Sequence, residues 1–166
     1  ECPFPAISRI ADVAWHSQKL IFEIQCSPIS TAEVKNRNEN YSSIGYQVVW
    51  IFHDDRYNQY RLSAAEQFLT SHPHYFSNMN EDGVGKIYDQ FCIVTNGKRV
   101  QRLPILPIDL STPKYLTKGR LKFRFPRILR QRAKTWPLTF SGDTLDSFLN
   151  PEAASPAHQK ELSAIF

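Results

Sequence analysis

Two short stretches of alternating residues decide the fold, and they read Arg-Ile-Ala-Asp-Val-Ala-Trp at 9–15 and Leu-Ile-Phe-Glu-Ile-Gln-Cys at 20–26. Successive side chains of a β-strand point to opposite faces, so this pattern predicts two half-buried strands. The link between them is short enough for an antiparallel hairpin. Its loop is either Ser17-Gln18 or the four residues from His16 to Lys19, and both loops give the same register.

The register of this hairpin would bring two carboxylates together. A connection centred between Ser17 and Gln18 pairs Asp12 with Glu23. Gln25 lies two residues further along the same face. The opposite face is apolar, and we expect it to pack against the core through these residues: Ala11, Val13, Trp15, Leu20, Phe22, Ile24 and Cys26.

The opposed carboxylates suggest a metal site. Two negative charges directly across a strand pair repel each other, and a divalent cation between them would remove that repulsion. Carboxylate oxygens suit Mg²⁺, which can polarise a phosphoryl oxygen and activate a water molecule. Gln25 could orient that water or a phosphate. The alternative is a solvated sheet face on which Asp12, Glu23 and Gln25 only contact water.

A helix and a third strand follow the hairpin. Ser30-x-x-Glu33 has the spacing of a helix N-terminal capping box, and Gly45 is placed to end that helix. The nearly continuous apolar run at 46–52 predicts a strand that is covered on both faces, parallel to the second strand. Arg37 lies on the inward side of the helix. Its guanidinium group could reach the carboxylates or a bound phosphate, or its stem could pack while its head contacts water.

These residues resemble the nuclease-like domain of the competence protein CoiA family, which belongs to the PD-(D/E)XK nuclease superfamily. The resemblance covers residues 1–54 and becomes looser up to Asp109. The matching segments are Arg9 to Val13, Glu23 to Ser30, Arg37-x-x-x-Tyr41 and Val49 to Phe52.

The resemblance implies a fold, a chemistry and a set of site residues. The fold would be α/β, with a PD-(D/E)XK nuclease-like core in which a mixed sheet contains a hairpin and a βαβ unit. The chemistry would be DNA hydrolysis in natural transformation, with Mg²⁺ or Mn²⁺ held by Asp12, Glu23 and the main-chain carbonyl of Ile24. Gln25 stands where most of the superfamily has Lys, as in other CoiA-like proteins. An amide cannot exchange a proton as an acid or base, so Gln25 would position the water or phosphate.

Positive charge is concentrated in one segment of the chain. Between Leu110 and Gly142 there are nine Lys and Arg residues and no acidic residue, whereas the rest of the chain has 11 basic and 16 acidic residues. Such a segment favours phosphate contacts, although a partner protein with an acidic surface would also fit. The predicted nucleic-acid contacts are Arg9, Arg37, Tyr41, Lys118, Arg120, Lys122, Arg124, Arg127 and Arg130.

Local signals predict the rest of the architecture. Ser63-x-x-Glu66 predicts a second capped helix, Asn96-Gly97 predicts a hairpin turn, and 53–56 is typical of the loop at the end of a strand. We expect a nuclease-like domain at 1–110 and a basic extension at 111–166 that packs on it or forms a tail.

The composition limits the size of the core and the class of protein. With 166 residues and 42% hydrophobic content, the chain can bury one compact core, and no run of 18 apolar residues is present. Three cysteines without metal-ligand spacing favour a reducing cytoplasm, with Cys26 and Cys92 in the core. Because the first residue is Glu1, we expect a fragment of a longer protein that lacks the helix preceding the hairpin in the superfamily.

The sequence leaves two rival functions open. One is a catalytically inactive nuclease-fold module that binds DNA or a recombination protein. The other is a protein–protein adaptor, which would show no salt-sensitive affinity for DNA.

Overall fold

The computed structural model describes residues 1–69, 74–90, 92–102, 105–108, 110 and 138–139. The helices are α1 Thr31–Ser43 and α2 Ala64–Phe68, and two 3₁₀ helices span Pro5–Ile7 and His16–Gln18. The strands are β1 Cys2–Phe4, β2 Arg9–Ala11, β3 Val13–Trp15, β4 Leu20–Gln25, β5 Gln47–His53, β6 His74–Ser77, β7 Ile87–Asp89, β8 Cys92–Thr95, β9 Lys98–Arg102, β10 Leu106–Pro107 and β11 Leu138–Thr139.

A six-stranded mixed sheet forms the centre of this α/β fold, with the order β10-β7-β6-β5-β4-β3. β4, β5 and β6 run parallel, and the outer pairs are antiparallel. The unit β4-α1-β5 is the predicted βαβ unit, and β3-β4 is the predicted hairpin. Both are therefore confirmed by the structure.

The hairpin has the predicted register but a shorter first strand. Val13 pairs with Phe22 across a four-residue connection, in which Lys19 has a positive φ of 55°. The strand expected at 9–15 breaks at Asp12, and the β3–β4 register ends at Val13 and Phe22, so the expected strand pair of Asp12 with Glu23 does not form. Ala11 pairs with Cys2, because β2 lies outside the main sheet and forms a two-stranded sheet with β1.

The two faces of the sheet carry separate apolar clusters. Toward the helices, Val34 of α1 and Ala65 of α2 pack against Trp50 and Phe52 of β5. On the other face, Phe22, Val49, Ile51 and Tyr75 form the buried cluster. β5 is thus covered on both faces, as its apolar sequence predicts.

The expectation that the apolar face of the hairpin is all core is wrong in part. Val13 and Ile24 are 47% and 46% exposed, and Cys26 is exposed because it lies just beyond the end of β4. Cys92 is buried, as expected. The helices instead cover the carboxylate-bearing face, so the alternative of a wholly solvated sheet face is also wrong for Glu23, which is 1% exposed.

Both predicted helix starts are capped. The Ser30 hydroxyl accepts a hydrogen bond from the Glu33 amide at 3.1 Å, and Gly45 follows the helix with a φ of +79°. At α2 the capping box is complete, since Ser63 and Glu66 each bind the other's main-chain amide. Each cap satisfies amide groups that a helix start leaves without a partner.

A small second sheet has the order β11-β8-β9. Its hairpin turns at Asn96 and Gly97, whose φ angles are 51° and 69°, as the sequence predicts. Arg99 of β9 donates to Glu66 of α2 at 2.6 Å, and this buried ion pair ties the hairpin to α2.

Most of the predicted basic extension lies outside the described residues. Of 111–166 the structure describes only β11, which pairs with β8. Among the described residues, no helix combines the length and the hydrophobicity that crossing a bilayer requires.

Candidate active site

A chain of four charged side chains connects the hairpin to α1. Arg9 of β2 donates to Glu33 of α1 at 2.8 Å, and Arg37 donates to the same oxygen of Glu33 at 2.8 Å through its Nε. A second Arg37 nitrogen, Nη1, donates to Oε2 of Glu23 on β4. Sequence spacing places Arg37 on the inward side of α1, and its guanidinium group does reach a carboxylate.

Asp12 lies at the break between β2 and β3, where the chain leaves the main sheet. Its Oδ2 accepts a hydrogen bond from the Ile24 main-chain amide at 2.7 Å. This contact fixes the Asp12 carboxylate beside β4, one residue from Glu23. The contact brings the main-chain amide of Ile24 beside the Asp12 carboxylate, whereas the Ile24 side chain is 46% exposed.

Glu23 is the most buried carboxylate of this site. Burial raises its pKa above the ordinary value, and the negative charge of Asp12 acts in the same direction, while Arg37 and Tyr41 oppose the rise. In the described part of the chain, its second oxygen, Oε1, has no hydrogen-bond partner. A buried acceptor without a hydrogen-bond partner is costly, and because Glu23 is covered, a ligand could reach Oε1 only after local movement.

Tyr41 lies on α1 directly beside Glu23. It is fully buried, and burial followed by the charge of Glu23 raises the pKa of its hydroxyl group. Its hydroxyl group acts on the Glu23 carboxyl and lowers the pKa of that group, although no hydrogen bond of ordinary geometry joins the hydroxyl to another described residue. The sequence predicts that Tyr41 contacts nucleic acid, but direct contact would require α1 to move, because the side chain is covered.

Gln25 ends β4 and is turned toward the loop that leads into α1. Its Nε2 donates to the carbonyl oxygen of Ser27 at 2.6 Å and to the Ser27 hydroxyl at 2.9 Å. The amide is therefore held at the carboxyl end of the strand, half-exposed, rather than bonded to Asp12 or Glu23.

The charges of the site suit a cation. Glu23 and Glu33 contact the guanidinium groups of Arg37 and Arg9, and Asp12 lies beside β4, so these five side chains carry one net negative charge when all are ionised. The donor set fits a hard divalent ion, because Asp12 and Glu23 supply carboxylate oxygens and Oε1 of Glu23 lacks a partner among the described residues. We take these two carboxylates, with the Ile24 main chain beside them, as the candidate metal ligands.

Glu33 lies between Arg9 and Arg37 in this cluster, whereas its spacing from Ser30 predicts only a capping role. Hydrogen bonds from Arg37 and then Arg9 hold the pKa of its carboxyl below the ordinary value. The spacing of Glu33 and Arg37 along one helix face, four residues apart, is a signal for this contact. No such spacing predicts the contact of Arg9 with Glu33, because Arg9 lies on β2, far from α1 in sequence.

The predicted nucleic-acid contacts divide into two groups. Arg9, Arg37 and Tyr41 come together around Glu23 and Glu33. The remaining predicted contacts belong to the basic segment and lie outside the described residues, and they are Lys118, Arg120, Lys122, Arg124, Arg127 and Arg130.

Comparison with known families gives one match. The sequence model described as "Competence protein CoiA, nuclease-like domain" matches residues 1–97, which is more than half of the chain. The matched range contains the whole cluster of Arg9, Asp12, Glu23, Glu33 and Arg37. No curated protein and no solved structure matches the chain at a significant level.

Proposed function

The chain belongs to the family of the competence protein CoiA nuclease-like domain, and from this premise we propose that it processes DNA in natural transformation by metal-assisted phosphodiester hydrolysis. One observation carries the proposal. Glu23 is a buried carboxylate with one oxygen unpartnered among the described residues, and Asp12 is held beside it by the main chain of the next residue, Ile24.

Asp12, Glu23 and the main-chain carbonyl of Ile24 would hold Mg²⁺ or Mn²⁺. Bound there, the ion would polarise a phosphoryl oxygen and lower the pKa of a coordinated water. The Ile24 amide keeps the Asp12 carboxylate in place through its 2.7 Å hydrogen bond. Because the pKa of Glu23 is raised, this carboxyl must lose its proton before it can act as a ligand, so cation binding strengthens as the pH rises.

Gln25 and Arg37 would orient the reactants. Attack by water forms one P–O bond and breaks the ester P–O bond, and an amide can take no proton in this exchange. Gln25 would instead direct the water or a phosphate oxygen with the amide that now binds Ser27. Arg37 can donate in a fork to a phosphate, which a guanidinium group recognises well.

The remaining positive groups would bind the DNA backbone. Arg9 and Arg37 share Glu33 as their acceptor, so a phosphate would compete with this carboxylate for both guanidinium groups. The basic segment would add contacts that depend on salt but not on sequence.

A second function is favoured by the state of the same site. The Arg37 guanidinium group already neutralises Glu23, and Gln25 supplies no acid or base. A nuclease fold in this state fits a catalytically inactive module that binds DNA or a recombination protein.

Cleavage and binding, measured on the same preparations, separate the two functions. We would incubate wild-type protein and Glu23→Gln with single- and double-stranded DNA, with Mg²⁺ or Mn²⁺ or with chelator. DNA affinity would be measured at two salt concentrations in parallel. The proposal expects metal-dependent cleavage by the wild-type protein only, together with salt-sensitive DNA binding by both proteins.

Lys35→Gln is the matched control, because the Lys35 ammonium group is exposed on α1 and makes only a surface ion pair with Glu39. It should cleave like the wild type. Salt-sensitive binding without cleavage in any protein would support the inactive module instead. Absence of both cleavage and binding would leave the protein–protein adaptor.

A further inference from the structure

A second group of potential metal ligands lies at the end of the central strand. His53 is the last residue of β5, and Asp54 and Asp55 follow it in the turn. One ligand atom from each of the three side chains lies within 4.8 Å of the others. This spacing allows three side chains to reach one ion after small side-chain movements.

The contacts of His53 set its tautomer for metal binding. Its Nε2 lies 2.8 Å from the Met79 carbonyl oxygen, which can only accept, so Nε2 carries the proton. The Asp55 main-chain amide donates to Nδ1 at 3.3 Å, so Nδ1 carries the lone pair. Both contacts fit the tautomer that carries its proton on Nε2, and Nδ1 faces the Asp55 carboxylate, 3.6 Å away.

The ligands also have outer partners of the kind that metal sites use. Histidine ligands commonly donate their other ring N–H to a carbonyl oxygen, as His53 does to Met79. The Asp54 carboxylate accepts a hydrogen bond from the Tyr88 hydroxyl at 2.7 Å, and Asn58 in turn donates to that hydroxyl at 3.1 Å. These contacts come from other parts of the chain and fix two of the three ligands.

The position in the sheet fits ligand binding as well. In α/β folds, ligands bind at the carboxyl ends of parallel strands. The Asp54 amide donates to the Ser77 carbonyl oxygen at 2.8 Å, which joins the turn to the end of β6. The cluster thus lies across the ends of the two parallel strands β5 and β6.

We propose that His53, Asp54 and Asp55 bind a first-row divalent transition-metal ion at the carboxyl end of β5. An imidazole with two carboxylates favours Zn²⁺, Co²⁺ or Mn²⁺ over Mg²⁺, because Mg²⁺ prefers oxygen ligands alone. The ion would connect the turn that follows β5 to the strand. This site shares no ligand with Asp12 and Glu23, so a test of it neither supports nor contradicts the nuclease proposal.

Titration of the full chain with Co²⁺, followed by visible absorption, tests the proposal. Asp55→Asn and His53→Gln should each lower Co²⁺ affinity at least about tenfold, since each removes a ligand. Asp82→Asn, an exposed aspartate in a separate turn, is the matched control and should bind Co²⁺ like the wild type. Asp55→Asn is the decisive variant, because its side chain is 90% exposed and its loss should not disturb folding.

Three results would overturn the proposal. The first is unchanged Co²⁺ affinity in Asp55→Asn and His53→Gln. The second is a strong near-ultraviolet thiolate band that Cys2→Ser abolishes, which would place the ion at Cys2 and His16. The third is loss of affinity in Asp12→Asn alone, which would place the ion at the candidate nuclease site.

Discussion

At the scale of single residues, Glu23 and Glu33 share one guanidinium group, that of Arg37. Glu23 is buried and its pKa is raised by burial, whereas Glu33 is more exposed and its pKa is lowered by hydrogen bonds from Arg37 and Arg9. Two carboxylates with opposite shifts can take different protonation states at one pH. Replacing Arg37 should therefore lower the free energy of unfolding. Removing either carboxylate should change how that free energy depends on pH, with opposite signs for Glu23 and Glu33.

Arg37→Met should destabilise the protein by about 3 kcal/mol, because it leaves Glu23 as a buried charge without its partner. Lys35→Met breaks only the exposed Lys35–Glu39 contact and should cost less than about 0.5 kcal/mol. Urea unfolding of both variants measures the difference. Equal midpoints for the two would show that the Arg37–Glu23 contact contributes no more than a surface pair.

The pH dependence of stability should differ in sign between Glu23→Gln and Glu33→Gln. Glu23 has a raised pKa in the folded protein, so its contribution is full below the ordinary value of about 4.3 and is lost as the pH rises through the raised value. Wild-type protein should therefore lose stability relative to Glu23→Gln as the pH rises through that window.

Glu33 supplies the internal control for this prediction. Its pKa is lowered, so its contribution is present above about 4.3 and is lost as the pH falls through the lowered value. Wild-type protein should lose stability relative to Glu33→Gln as the pH falls. Urea midpoints at several pH values give both differences, and the same sign for both variants would contradict the assignment.

At the scale of elements, the sequence predicts the strands and helices whose residue pattern is contained within one short segment. Alternation sets the register of β3 and β4, and the capping residues at Ser30 and Ser63 set the helix starts. The break at Asp12 has no such signal, because the partner of β2 is the three-residue strand β1, too short to show a period. The exposure of Val13 and Ile24 depends on what covers the sheet, which alternation cannot specify.

The ion pair between Arg99 and Glu66 should hold the β8–β9 hairpin against α2. Its side chains are 4% and 1% exposed, and Glu66 also accepts from the amide groups of Asn58 and Ser63. Arg99→Met should cost about 3–5 kcal/mol in urea unfolding, because Glu66 loses its buried cationic partner. A cost below about 1 kcal/mol would refute the assignment.

At the scale of the whole molecule, the charge is unevenly distributed along the chain. The segment between Leu110 and Gly142 carries nine basic and no acidic residues, while the remainder has an acidic excess. The sequence was sufficient to predict the mixed α/β fold and the family, whereas the role of Asp12 and Glu23 as metal ligands stays a prediction. It could not indicate the Arg9–Glu33 contact or the role of Met79 at His53, because those partners meet only through the tertiary fold.

Removing positive charge from the basic segment should weaken DNA binding. Lys118→Gln, Arg120→Gln and Lys122→Gln together should lower affinity and reduce the slope of log affinity against log salt by about 0.9 for each phosphate that the segment no longer neutralises. A triple control, Lys19→Gln, Lys35→Gln and Lys86→Gln, removes as many exposed charges from the described part of the chain. An equal decrease in affinity for both triple variants would mean that only total charge matters.

The rate of Mg²⁺-dependent DNA cleavage by Asp12→Asn, compared with that by Asp82→Asn, tests whether Asp12 and Glu23 hold the reactive metal. Asp12 is held beside Glu23 by the Ile24 amide, whereas Asp82 is an exposed turn residue. Loss of a ligand to the reactive metal should remove about 4 kcal/mol of transition-state stabilisation, so Asp12→Asn should cleave about a thousandfold more slowly. Asp82→Asn should match the wild type. Cleavage by Asp12→Asn at the wild-type rate would contradict the assignment of Asp12 and Glu23 as the metal-binding pair.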